Sequence, residues 1–127
     1  MPAAMSWTLL QVALGGAIGS TARYLVSLGA GRACGPGFPC GTLAVNVAGS
    51  LAMGVLFILL TREGRFSPLL MTGVLGGFTT FSAFSLDAFC LWERGAQGLA
   101  AVYVLASVLL SRAALALGVI LARGVAV

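Results

Sequence analysis

Gly73-Val74-Leu75-Gly76-Gly77-Phe78-Thr79-Thr80-Phe81-Ser82-Ala83-Phe84-Ser85 lies inside an apolar run that begins near Pro68 and ends near Trp92. The run is long enough to cross a membrane, yet its middle is a poor helix. A glycine inside a helix is about 1 kcal/mol less favourable than alanine, and β-branched threonine loses rotamer freedom there. The Gly76-Gly77 pair followed by Thr79-Thr80 therefore predicts a break near the centre of this span. At membrane depth a break is tolerated only where the loosened backbone is buried in protein or lines a cavity, and the carbonyls it frees are ready ligands for a hard cation. Phe81 and Phe84, three apart, share one face beside Ser82 and Ser85 on the adjoining one. A merely kinked packing helix with core aromatics is the competing reading of the same residues.

The rest of the chain sets this segment in a membrane. Of 127 residues, 60% are hydrophobic and 8% charged, and the mean hydropathy is +1.08, against roughly 45–50% apolar and 25% charged in soluble domains. A soluble fold of this size is excluded. At roughly 20 apolar residues per membrane helix, the length fits a single all-α domain of four spans. They are expected at about 7–28, 41–60, 68–92 and 99–122. The connector Gly29 to Pro39 is loop by composition, with Gly35, Pro36, Gly37 and Pro39 in its second half. Arg62-Glu63-Gly64-Arg65 closes the second span and Glu93-Arg94-Gly95 the third, with Trp92 and Tyr103 as interface aromatics. Met1 to Ser6 has no basic stretch and no cleavage site follows, so the first span reads as retained.

All seven basic residues are arginines: Arg23, Arg32, Arg62, Arg65, Arg94, Arg112 and Arg123. They stand singly or in a loose pair near the ends of apolar runs and form no basic stripe, so they read as topology determinants rather than a nucleic-acid surface. Arg23, about one turn inside its interface, can snorkel. With four spans, Arg62, Arg65 and Arg123 share one side, while Arg32 and Arg94, with Arg23 nearby, occupy the other. That near-balance gives almost no orientation preference and suggests a chain that inserts both ways round and pairs as an antiparallel dimer. A single orientation fixed by some other feature stays open.

There is no histidine, which removes most transition-metal and nucleophile chemistry. Cys34 and Cys40, six apart in the loop, match no standard metal pair; a disulfide is conceivable if the loop faces an oxidising compartment, but the cysteines read as incidental.

The polar residues inside the spans carry the functional argument, because polar groups in hydrocarbon are costly unless paired. Thr42, Asn46 and Ser50 recur every four residues along the second span. Tyr103, Ser107 and Ser111 do the same along the fourth, a hydroxyl ladder roughly 12 Å long at 1.5 Å per residue. Each stripe alone is explained by glue between packed helices. Together with the third span they supply neutral amide and hydroxyl donors and positive ring edges but no carboxylate. Such a lining suits an anion, whose hydration it replaces, and Arg23 would add positive potential at a pore mouth. Only Asp87 among the three acids falls within a span, near its end.

Three motifs carry a resemblance: Gly15-Gly16-x-x-Gly19-x-x-x-Arg23-Tyr24, Gly41-Thr42-Leu43-x-Val45-Asn46-x-x-Gly49-Ser50, and Gly76-Gly77-Phe78-Thr79-Thr80-Phe81-Ser82-Ala83-Phe84-Ser85. They resemble the bacterial CrcB (Fluc) fluoride channels, and the likeness covers all four spans. The resemblance implies a dual-topology antiparallel homodimer in the bacterial inner membrane, with two fluoride pores around a structural sodium ion, letting fluoride leave the cytoplasm passively. By motif position, Asn46 would donate its amide to fluoride, Phe81 and Phe84 would present ring edges, and Gly76 and Thr79 would give backbone carbonyls to sodium. Tyr103, Ser107 and Ser111 look like the family's polar track and Arg23 like its vestibule arginine, with Thr42 and Ser82 along the same path. Two positions depart: Ala83 stands where the family commonly has Thr, and Asp87 where it commonly has Glu.

Two other readings compete. A dual-topology, proton-coupled exporter of cationic drugs has the same size but needs a mid-membrane carboxylate, which spans one, two and four lack. A non-transporting assembly subunit would use the hydroxyls as glue alone, which does not require a broken span. An enzyme is excluded by the want of any acid/base or nucleophile–base pair.

Overall fold

In a computed structural model, residues 2–61 and 64–125 are described. The chain forms α1 (Ala3–Cys34), α2 (Cys40–Leu59), a π-helical stretch (Pro68–Leu75) running into α3 (Gly76–Phe78), α4 (Phe81–Glu93) and α5 (Gln97–Val125). No strand occurs among the described residues. The segment Pro68–Glu93, α2 and α5 are each long and apolar enough to cross a membrane. α1 has the length, at 32 residues, but Gln11, Ser20, Thr21, Arg23 and Ser27 leave it less apolar than these three. Leu14, Ile18, Leu105, Leu109 and Ile120 are all more than half exposed, which is the surface of a protein solvated by hydrocarbon rather than water.

The third apolar segment is divided because its halves serve different neighbours. The π-helical stretch and α3 lie along α1, whereas α4 packs on α5, and α2 holds α5 on its other side. Glycines let the backbones meet. A Cβ on Gly73 would stand 2.9 Å from the Gly15 Cα, so this seam admits no side chain. The expected break is present: Thr79 (φ −84°, ψ 156°) and Thr80 (φ −153°, ψ 119°) are extended between α3 and α4.

Five expectations need correction. The loop after the first span is shorter than 29–39, because α1 continues to Cys34 and α2 starts at Cys40. Those two helix ends face each other with a Cα–Cα distance of 6.4 Å, and Cys34 and Cys40 are disulfide-bonded rather than incidental. Arg94 donates to the Pro36 and Gly37 carbonyls at 3.3 Å and pins the bridged loop to the end of α4. Arg112 does not close an apolar run: it stands within a residue of the midpoint of the 29-residue α5, because the Ala/Leu sequence beyond it continues the helix. Tyr103 is not an interface aromatic but fully buried, packed edge-on against Phe38 at 5.6 Å. Arg23 is not near a helix end; with α1 extended to Cys34 it reaches the broken segment instead. Arg62 and Glu63, expected to close the second span, lie outside the described residues.

Candidate functional site

The site is built on the break. Asn46, in mid-α2, meets extended Thr80 as a neighbouring strand would: its Oδ1 accepts the Thr80 N–H at 2.8 Å and its Nδ2 donates to the Thr80 carbonyl at 3.0 Å. Gly49, one turn further, makes this approach possible, since a Cβ there would collide with the Thr79 methyl. One N–H of the Asn46 amide remains beyond this clamp.

The diverted donors determine which carbonyls are released. In an unbroken helix the Thr80 N–H would go to Gly76 and the Ala83 N–H to Thr79. Instead the first goes to Asn46 and the second to Thr80 Oγ1 at 3.1 Å, which caps α4. The Gly76 and Thr79 carbonyls thereby lose their helical donors. Between them in sequence, the Gly77 carbonyl accepts from Arg23 Nε at 3.0 Å. Arg23 thus braces the broken backbone from α1. Among the described residues no three His, Cys, Asp or Glu side chains converge as a metal site.

Beside the clamp runs an open groove of about 320 Å³. Asn46 and Ser50 of α2, Thr79, Thr80, Phe81 and Phe84 at the break, and Ser107, Ser111 and Arg112 of α5 line it. The Ser107 and Ser111 hydroxyls have no hydrogen-bond partner among the described residues, so both are free to donate into the groove. The Phe81 and Phe84 centroids are 5.4 Å apart, and Phe84 continues to Tyr103 at 5.3 Å. Phe81 is 78% exposed, so the groove has one wall missing at its aromatic end.

Not every expected residue meets here. Thr42 lines a second cavity of about 330 Å³ under the bridged loop, with Asp87 and Arg94. Tyr103 stands between the two spaces and donates to Asp87 Oδ2 at 3.1 Å. Ser82 exchanges a hydrogen bond with Thr80 Oγ1 at 3.2 Å, and Arg23 lies on the α1 side of the break. Sequence reasoning missed the Asn46–Thr80 pairing, for which no spacing rule exists. It also missed Arg112 as a groove residue, although the arginine's place inside the fourth span was a readable signal.

Fold and groove together define a multi-pass helical membrane protein whose polar residues form a lining and not a catalytic pair. Residues 10–119 match the family described as CrcB-like protein, Camphor Resistance (CrcB), and the chain belongs to it. A protein of Cereibacter sphaeroides named "Fluoride-specific ion channel FluC" is 61% identical over 118 residues, covering 92% of this chain and 95% of its own. Proteins with the same name from Paracoccus denitrificans and a Ruegeria species are 59% identical over 122 residues and 60% over 121. They cover 94% and 93% of this chain and 98% and 96% of their own. The chain is a channel-family protein, not an enzyme.

Proposed function

We propose that the chain is a fluoride-selective channel, passively releasing fluoride from the cytoplasm of a bacterium across its inner membrane. The observation that carries this reading is the groove, where an amide, two unpartnered serine hydroxyls and two phenylalanine rings converge without a carboxylate. A small anion leaves water only where such dipoles replace its hydration, and a larger, less hydrated chloride gains little from them. The names of the relatives agree with it. They lend nothing to a drug exporter, and Asp87, the described carboxylate inside a span rather than at its last residue, is held by Tyr103.

In this reading the protomer crosses the membrane four times, α1 included, and works as an antiparallel homodimer inserted both ways round. The support is the exposed Phe81 and the open side of the groove, which a second copy would close. Asn46 presents its remaining N–H, Phe81 and Phe84 their ring edges, and Ser107 and Ser111 their hydroxyls to the ion. Thr42, Ser82 and Tyr103 serve its approach, and Arg23 holds the broken backbone in shape. The released Gly76 and Thr79 carbonyls would hold a structural sodium ion, which supplies a fixed positive charge where the two copies meet. Gly76 lies exposed on the protomer, as a ligand shared between copies requires.

Purified protein in liposomes tests the proposal. Under a potassium gradient with valinomycin, fluoride should leave rapidly, without a pH gradient, while chloride stays. Equal chloride efflux, or fluoride efflux that needs a pH gradient, refutes it.

A further inference from the structure

Arg112 stands at the middle of α5, with about 20 Å of helix on either side at 1.5 Å per residue. Half of a bilayer's hydrocarbon core is about 15 Å, so the side chain is too deep to anchor the helix at an interface. Its place on the helix directs it to the groove: Val108, Arg112 and Leu115, at steps of four and three, all line that space beside the Ser107–Ser111 stripe. Two other arginines are engaged, Arg23 on the Gly77 carbonyl and Arg94 on Pro36 and Gly37. Among the described residues none pairs with Arg112, and the serine hydroxyls next to it are unpartnered too. An intramembrane charge that lines a cavity without a counter-ion lacks a packing explanation, and what it lacks is an anion.

We propose that Arg112 is an anion-binding residue of the groove, a fixed positive charge that raises the occupancy of the Ser107–Ser111 end by a small halide. Tyr103 with Asp87 stands at the opposite end of the ladder, so the field along the groove draws an anion toward Arg112. The inference rests on the fluoride-channel reading and adds to it a site in this chain's own sequence.

The test is fluoride efflux from liposomes as a function of fluoride concentration, with wild type, Arg112→Gln and Arg112→Lys side by side. Loss of one unit charge a few ångströms from the ion lowers flux about tenfold at low fluoride, and the deficit shrinks as fluoride approaches saturation. Arg112→Lys restores most of the flux. A purely structural role would lower the maximal flux at every concentration. Should Arg112→Gln fail to assemble, Arg112→Cys, with Cys34, Cys40 and Cys90 replaced by serine, is modified after assembly. An ethylammonium adduct should then conduct more than a neutral methyl adduct, and a sulfonatoethyl adduct less. Equal fluxes for the three adducts, or for wild type and Arg112→Gln across concentrations, overturn the role of Arg112 while the wild-type flux leaves the channel standing. A wild type that passes no fluoride overturns both.

Discussion

Replacing Asn46 with leucine tests whether the break is held by a side chain. Leucine keeps the branched shape and the number of heavy atoms but can neither accept the Thr80 N–H nor donate to the Thr80 carbonyl, bonds of 2.8 and 3.0 Å. Each backbone group left without a partner away from water costs about 1–3 kcal/mol. Both residues are half-buried beside an open groove, which places the pair toward the low end, about 2–4 kcal/mol together. Thr80→Ala is the internal standard: it keeps both backbone bonds and loses the cap on the Ala83 N–H, about 1 kcal/mol, together with the exposed hydroxyl contact to Ser82. Titration with SDS in mixed micelles at fixed protein concentration, followed by far-ultraviolet circular dichroism, gives both values on one scale. Asn46→Leu should unfold well before Thr80→Ala, and Thr80→Ala slightly before wild type. If Asn46→Leu falls within 1 kcal/mol of wild type, or no lower than Thr80→Ala, then the extended pair holds its own shape and the clamp is incidental.

Phe81→Ile and Phe84→Ile keep apolar bulk and remove the ring edges, so the variants should still dimerise and lose fluoride efflux from liposomes; persistent efflux would separate the rings from the ion path. A Cβ built on Gly76 meets only the Met71 carbonyl, at 3.7 Å, so Gly76→Val should leave the protomer helical by circular dichroism but dissociate the dimer in size-exclusion chromatography, as should exchange into sodium-free buffer. If chains insert in both orientations, the Cys34–Cys40 loop meets an oxidising compartment in half the copies only. Thiol trapping of intact cells should then find these cysteines bridged in about half of the chains, and bridging in all or none would contradict dual insertion.

The Gly76-Gly77 and Thr79-Thr80 pairs were enough to predict the break, because helix propensity and membrane solvation are local properties of the chain. The same holds for the apolar spans and for the four-residue spacing that lines up Asn46 with Ser50 and Ser107 with Ser111. Periodicity says that residues share a stripe; it cannot say what the stripe faces. Tertiary packing decided that Asn46 grips Thr80, that Arg23 reaches Gly77, and that Thr42 belongs to a different cavity from Ser107. It also took Tyr103 out of the interface and joined Cys34 to Cys40. Each of these depends on how close two helices come. That distance is set by glycines such as Gly49 and Gly73 acting against residues far away in sequence, a pairing that no single stretch of the chain contains.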